Sequence, residues 1–209
     1  RMGNLLERIA NEIADKVASE MDLRVIFKWA TAESVRRIDF ARNVLEQWSE
    51  IYLQVREKIE MSGRDNRWEF DRRRLFERTT YMANICSDLK QVVVVSDDFK
   101  RFLGPELKAV TGDALGIDDV ISQVERMLEP IERLPFDCFD KRYSSQWVAV
   151  MAKFNSDREQ IERATRVFID TSFKKLRSAE AALELLQNFQ SIAPSEDGVA
   201  RSNTSTSRQ

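Results

Sequence analysis

TAESVRRIDFARNVLEQWSEIYLQVREKIEMSG, residues 31–63, carries the clearest structural pattern in this sequence. Apolar side chains recur in it in alternating steps of three and four residues, which puts one apolar stripe along a helix. That spacing favours side-by-side packing against other helices. We expect the helix to take Thr31 as its N-cap, to reach about Ser62 and to stop at Gly63. The stripe consists of Ile38, Ala41, Leu45, Trp48, Tyr52, Val55 and Ile59.

Apolar residues also recur at helical spacing before residue 31. A first helix is predicted from about Asn4 to Leu23, because apolar residues again follow one another at helical spacing. Glu12 and Lys16 are spaced to form an i,i+4 ion pair on it. The stripe of this helix is Leu6, Ile9, Ile13, Val17 and Met21.

A third helix follows the Gly63 loop. Asp71 is its predicted N-cap, and the pair Gly104-Pro105 ends it. Val92 to Val95 alone would suggest a strand, but the helical phase passes through this run, so we expect it to be helical. The third stripe is Leu75, Thr79, Met82, Cys86, Leu89, Val93 and Phe99.

Three more helices are predicted beyond residue 116. Pro135 ends the fourth, and a connector with Phe136 and Phe139 leads to a fifth that begins at Ser144 or Ser145. Ser178 is the predicted cap of the last. Their inward residues are Ile117, Ile121, Val124, Leu128, Ile131 and Leu134; then Trp147, Met151, Phe154, Ile161, Phe168 and Phe173; then Ala182, Leu186 and Phe189.

The composition changes abruptly after Ile192. Residues 193–209 are rich in Ser, Thr and other polar groups and contain almost no large apolar side chain. Such a segment cannot bury enough apolar surface to fold. We therefore predict an all-α, elongated helical bundle of about five to six long helices over residues 1–192, followed by a disordered tail over 193–209.

The net charge argues against nucleic acid as a partner, and the short apolar runs argue against a membrane. Lys and Arg number 33 against 35 Asp and Glu, which gives a net charge of −2 and no global positive field for a phosphate backbone. The longest notable apolar run is Val92 to Val95, far short of a membrane span. We expect neither nucleic acid nor a membrane to be a partner.

Few residues are suited to catalysis. The chain has no His, and its six glycines form neither GxxxxGK[ST] nor GxGxxG. Cys86 and Cys138 are isolated; Cys86 falls on an apolar stripe, and reduced thiols are the simplest expectation. Asp113, Asp118 and Asp119 fail the alternating ligand pattern of a calcium loop, and Glu129 and Glu132 are interpreted as a solvated helix face. We predict no catalytic, cofactor-binding or metal site, and no cofactor.

The stretch RDNRWEFDRRRLFERTTYM, residues 64–82, is dense in arginine and aromatic residues. Between residues 64 and 78, six arginines face four carboxylates, a local excess of only two. We interpret it as a helix entrance, in which Trp68, Phe70 and Leu75 matter for fold integrity. An arginine-rich interface for an acidic protein partner is the alternative.

Four segments of the sequence resemble the N-terminal tail of dynein heavy chains of the axonemal type. They are NLLERIANEIADKVA, RDNRWEFDRRRLFERTTYMANICSDL, FLGPELKAVTGD and FIDTSFKKLRSAEAALELLQNF. The segments occur in the family's order with similar spacing, and the resemblance covers about residues 4–192.

The resemblance implies a non-catalytic tail, or stem, segment that serves as a scaffold for subunit assembly and anchors a microtubule motor complex. The implied partners are dynein intermediate chains and other dynein heavy chains, with light chains or docking proteins as further candidates. The implied location is the cytoplasm and cytoskeleton, in the axoneme of a cilium or flagellum. ATP hydrolysis belongs to the motor part of the family, so no enzyme is expected here.

The resemblance also leaves an alternative. Family members usually continue past the LLQNF segment with a basic stretch and further helices, whereas this chain continues with APSEDGVARSNTSTSRQ. The alternative is a free-standing helical interaction module derived from a truncated dynein heavy chain.

Overall fold

The computed structural model describes residues 2–63, 70–103 and 117–174, together with residues 181, 183, 184, 186 and 187. These residues contain α-helices, one 3-10 turn and no β-strand, which confirms the all-α prediction. The helices are α1 (Met2–Glu20), α2 (Leu23–Ile26), α3 (Thr31–Met61), α4 (Arg72–Phe102), α5 (Ile117–Glu132) and α6 (Ser144–Lys174), and the 3-10 turn is Lys141–Tyr143.

The start of α3 differs from the prediction. Ala30, not Thr31, is the N-cap residue, and its side chain makes no capping hydrogen bond. Ser34 in the first turn donates its Oγ hydrogen to the Ile26 carbonyl oxygen at 2.8 Å, which ties α3 to α2. The predicted stop is confirmed, because Gly63 has a φ of +67°, a left-handed conformation that glycine adopts without steric cost.

The first helix ends earlier than predicted. α1 stops at Glu20, and Asp22 starts the short α2 by accepting a hydrogen bond from the Arg24 backbone N–H. The buried face of α1 is Ala10, Ala14 and Val17, while Ile9 is exposed. Lys16 pairs with Glu20 at 2.8 Å rather than with Glu12, although a carboxylate lies one turn away on each side of it.

The start of α4 agrees with the prediction. The Asp71 side chain accepts a hydrogen bond from the Arg73 backbone N–H at 3.0 Å, which is N-cap geometry. Val92 to Val95 lie inside this helix. The helix ends at Phe102, and Gly104-Pro105 lie outside the described residues. Its predicted stripe from Leu75 to Val93 is buried, and Phe99 is half-buried.

The chain divides into two compact units. Unit 1 comprises residues 1–94 and 128–154, and unit 2 comprises residues 95–127 and 155–209. Buried apolar side chains form a core in each. In unit 1 they include Ile26, Ile38, Leu45, Leu75, Met82, Ile85, Leu89, Ile131, Trp147 and Phe154; in unit 2 they include Leu103, Val120, Val124, Met127, Ile161 and Phe168.

Two tryptophans in unit 1 form hydrogen bonds that join neighbouring helices. The Trp147 indole N–H donates to Asp88 Oδ2 at 2.8 Å, and the Trp48 indole N–H donates to the Leu75 carbonyl at 3.3 Å. Tyr81 likewise donates its hydroxyl hydrogen to the Cys138 carbonyl at 2.8 Å. These bonds join α4 to α6, to α3 and to the connector before the 3-10 turn.

The later helices agree with the prediction in part. α5 ends at Glu132, two residues before Leu134, and α6 begins at Ser144. Phe139 is buried, and Phe136 stacks on Tyr143 at 5.3 Å between ring centroids. Leu186 is exposed rather than buried. The side chain of Phe173, together with Ser178, Ala182, Phe189 and the predicted tail 193–209, lies outside the described residues.

Candidate functional site

The arginine-rich stretch is described from Phe70 onward; Arg64, Arg67 and Trp68 lie outside the described residues. Phe70 packs so closely on Gly3 that a Cβ atom at Gly3 would lie 3.0 Å from Phe70 Cδ1. Leu75 is buried, and its carbonyl accepts the Trp48 hydrogen bond. Both contacts support the interpretation of this stretch as a helix entrance held by packing.

Only some of the described arginines in this arginine-rich stretch form ion pairs with other described residues. Arg78 Nη2 lies 2.5 Å from Asp15 Oδ1 and Arg74 Nε lies 3.6 Å from Glu7 Oε1, so both join α4 to α1. Glu77 pairs with Lys141. Arg72 and Arg73 are exposed, and no described residue forms an ion pair with either. Two exposed arginines on one helical turn are a weak basis for a binding surface.

A groove with a volume of about 440 Å³ lies between α1 and α3, and we call it the Phe40 groove. Phe40 is its most unusual member, because 64% of this aromatic side chain is exposed. Burial of such a side chain by a partner would be worth roughly 1.5–3 kcal/mol. The lining residues are Lys16, Val17, Glu20, Met21, Arg36, Arg37, Phe40, Ala41 and Val44.

Two arginines at the edge of the Phe40 groove share one carboxylate. Arg36 donates from Nε and Nη2 to both oxygens of Glu33, and Arg37 donates from Nε to Glu33 Oε1 at 2.5 Å. These hydrogen bonds lower the pKa of Glu33 to about 2. The Arg37 guanidinium also lies over the Trp29 ring at 4.1 Å. Both cations are therefore held in place.

A second, smaller groove of about 140 Å³ follows the C-terminal half of α3, and Leu6 of α1 also contributes to it. Ile51 and Val55 are exposed here, and the Tyr52 hydroxyl oxygen is buried with no hydrogen-bond partner among the described residues. The Tyr52 ring meets Phe76 edge-on at 5.2 Å. The predicted stripe of α3 is therefore buried from Ile38 to Leu45 and only partly covered beyond Trp48.

Unit 2 has a cavity of about 300 Å³ that opens to its surface. Burial raises the pKa of Asp98, and the neighbouring Asp97 carboxylate adds to the shift. The Thr165 hydroxyl oxygen is buried and forms no hydrogen bond within the described part of the chain, and Arg166 is exposed. The lining residues are Val95, Asp98, Phe99, Phe102, Glu162, Thr165 and Arg166.

The cysteines and the surface carboxylates considered in the sequence are the remaining candidate groups. Cys86 and Cys138 are buried and free, and burial raises the pKa of each thiol to about 12. Glu129 pairs with Arg133 at 2.7 Å on the surface, and Glu132 is exposed. Asp113 and the side chains of Asp118 and Asp119 lie outside the described residues.

No three His, Cys, Asp or Glu side chains in the described part of the chain gather where they could hold a metal ion. Among the described helices, none combines the length and apolar character required to cross a membrane.

Phe40 and Val44, which line the Phe40 groove, are not part of the predicted α3 stripe. Phe40, Val44 and Ile51 follow one another at spacings of four and seven and lie beside that stripe, and Val55 belongs to both rows. The shared partner Glu33 precedes Arg36 and Arg37 by three and four residues, so both ion pairs have ordinary local helical spacing.

Comparison with known proteins places the chain in a family. The family model "Dynein heavy chain, N-terminal region 1" matches residues 1–204. The "Dynein-1-alpha heavy chain, flagellar inner arm I1 complex" of Chlamydomonas reinhardtii is 54% identical over 192 residues, which cover 92% of this chain and 4% of the relative. Human "Dynein axonemal heavy chain 10" is 49% identical over 154 residues, 74% of this chain and 3% of the relative.

A more distant relative is also named as a dynein chain. The "Dynein beta chain, ciliary" of Heliocidaris crassispina is 21% identical over 191 residues, 88% of this chain and 4% of the relative. The chain thus spans only a few per cent of the length of these relatives, and the match falls in the region that the family model calls N-terminal. The chain belongs to the dynein heavy chain family, and it corresponds to part of the N-terminal region of an axonemal dynein heavy chain.

Proposed function

We propose that this chain acts as a non-catalytic tail segment of an axonemal dynein heavy chain, a scaffold on which subunits assemble and through which the motor complex is anchored. The observation that carries the proposal is the family match over residues 1–204, together with 54% identity to a flagellar inner-arm heavy chain. Its partners would be dynein intermediate chains and other dynein heavy chains, with light chains or docking proteins as further candidates. Its place would be the axoneme of a cilium or flagellum.

The mechanical part of the proposal is supported by the long helices. α3, α4 and α6 each have 31 residues, and at 1.5 Å per residue each is about 46 Å long. In unit 1, α3 and α4 are packed along buried stripes and joined by hydrogen bonds from tryptophan. A scaffold of this kind would pass force along stiff helices and present side-chain surfaces to partners, without a catalytic step in this segment.

A pull-down from an axonemal extract tests the assembly role. The tagged chain should recover intermediate chains and full-length heavy chains, identified by mass spectrometry. The matched control is Ile38→Asp, which places a charge at a fully buried position of α3 and should unfold unit 1. Recovery of dynein subunits by the wild-type chain alone would support the proposal.

The same experiment addresses the alternative, a free-standing interaction module derived from a truncated heavy chain. Intermediate chains recovered without full-length heavy chains, and displaced by excess of this chain, would favour a competing module. Recovery of unrelated proteins only would refute the assembly role altogether. Nucleotide hydrolysis by the purified 209-residue chain alone, abolished by Ile38→Asp, would contradict its non-catalytic nature.

A further inference from the structure

We propose that the Phe40 groove is the docking surface for an amphipathic partner helix that carries a carboxylate near one end. The inference deepens the proposed function, on which it rests for the idea that this segment assembles with other proteins. It assigns the surface on this chain and the chemistry of the partner.

The apolar part of the surface is a stripe on α3 that begins in the Phe40 groove and continues into the smaller groove, which Ile51 and Val55 line. Phe40 and Ile51 are 64% and 55% exposed, Val55 is 49% exposed, and Val44 is half-buried between them. Fifteen residues separate Phe40 from Val55, which corresponds to about 22 Å along the helix. A straight apolar strip of that length fits about four turns of another helix, whose own side chains would enter the grooves on the α1 side of α3.

The charged part lies at the Phe40 end. Arg36, Arg37 and Lys16 form ion pairs with two carboxylates, Glu33 and Glu20, so three cations share two anions in these pairs. A guanidinium carries five N–H donors. Arg36 uses two groups on Glu33 and Arg37 uses one, so both retain donors for a further carboxylate.

The two arginines are also preorganised for such a ligand. Glu33 holds both guanidinium groups, and the Trp29 ring supports that of Arg37. An incoming carboxylate would therefore bind to donors that have already lost much of their rotational freedom, which reduces the entropic cost of association. A basic partner would meet the excess positive charge and would be disfavoured.

The test selects partner helices without assuming their identity. A phage library of 18-residue helical peptides, with one face randomised, is selected on the immobilised 209-residue chain and depleted on Phe40→Ser. We expect the enriched peptides to carry large apolar residues at helical spacing and Asp or Glu near one end. In fluorescence anisotropy, Phe40→Ser and the double variant Arg36→Gln, Arg37→Gln should each weaken binding by about tenfold or more.

Two control variants match these changes. Val148 is 65% exposed on α6, so Val148→Ser removes an equally exposed apolar side chain elsewhere in unit 1. Arg133→Gln removes an exposed arginine that is also paired with a glutamate. Neither should change binding by more than about twofold. Circular dichroism should show all variants to be folded, because each substituted side chain is exposed.

Three outcomes would overturn the inference. They are enrichment of peptides without acidic residues, equal binding to Phe40→Ser, and no enrichment over the unselected library. Self-association of the chain that Phe40→Ser abolishes would assign the groove to a second copy and overturn it as well. Peptide selection does not depend on the axonemal pull-down, so a failed pull-down with a successful selection would refute the assembly role alone.

Discussion

Cys86 and Cys138 show at the residue scale how burial decides reactivity. Both side chains are at most 1% exposed, and burial raises the pKa of each thiol to about 12. Since the thiolate is the reactive form, only a very small fraction is available near neutral pH. We expect neither thiol to react with Ellman's reagent within minutes at pH 8 in the native protein, and both to react after unfolding in guanidinium. Rapid native labelling of either residue would contradict this placement.

Glu33 is the residue whose titration reports on the arginine pair. Hydrogen bonds from Arg36 and Arg37 lower its pKa to about 2 in the folded chain. A carboxylate with a lowered pKa stabilises the fold above its unfolded pKa of about 4.3, and this contribution is lost as the pH falls towards 2. Side-chain carboxyl NMR should therefore show Glu33 still ionised at pH 3.5.

The double variant Arg36→Gln, Arg37→Gln should return the Glu33 midpoint to the ordinary range near 4.3, because it removes both charged donors. The control is Arg133→Gln, which removes an arginine from the same kind of i,i+4 surface pair without touching Glu33. An unchanged Glu33 midpoint in the double variant would show that the arginines do not hold this carboxylate, and the preorganised pair would lose its basis.

Ser34 shows at the element scale how one hydroxyl joins two helices. Its side chain is 1% exposed, and Oγ donates to the carbonyl of Ile26, the last residue of α2. Ser34→Ala should lower the free energy of unfolding by about 1 kcal/mol in urea denaturation, because a buried carbonyl loses its donor. Ser49→Ala is the control: its Oγ donates within α3 to Glu46, so the change should stay within about 0.5 kcal/mol.

The two halves of the α3 stripe should differ in their energetic importance. Leu45 is 1% exposed and Val55 is 49% exposed, although both belong to one sequence pattern. Leu45→Ala should cost about 2–5 kcal/mol of stability, because it leaves a cavity. Val55→Ala should cost less than about 1 kcal/mol in the same urea denaturation experiment. Comparable losses would mean that the C-terminal half of α3 is covered in solution.

The α3 comparison also shows what the sequence could and could not reveal. The helix bounds were predicted within one residue, because periodicity and a glycine stop are local properties of the chain. Where the buried part of the stripe ends was not predictable, because it depends on which neighbours reach α3. Asp71 was found as a cap from its type and position, whereas Ala30 was missed because it makes no side-chain bond.

The placement of charges was harder to predict for a related reason. The pairs of Arg78 with Asp15 and of Arg74 with Glu7 join residues more than 60 positions apart, so no spacing rule points to them. Lys16 had candidates on both sides in sequence, and only the fold decides in favour of Glu20. The Phe40 groove was hard to predict for the same reason. It forms only where α1 packs beside α3, and its charged side chains come from both helices.

At the scale of the whole molecule, the same surface predicts how the chain behaves alone. Among the described residues, Glu33 is the one carboxylate paired with Arg36 and Arg37, and we expect their remaining donors to bind a group from a partner helix of different sequence. We therefore expect light scattering to give the monomer mass of 24.3 kDa at low micromolar concentration. Addition of a selected acidic peptide should raise the melting temperature, because ligands that bind only the folded state stabilise it by mass action.

The Phe40→Ser variant separates this expectation from a general effect of the peptide on folding. It should have the monomer mass and a melting temperature close to that of the wild-type chain, and the peptide should no longer raise it. Because removal of one exposed ring leaves the core of unit 1 intact, any loss of the peptide effect can be attributed to the groove. An equal rise in the melting temperature of both proteins would place the peptide elsewhere, and the exposed stripe on α3 would then need another occupant.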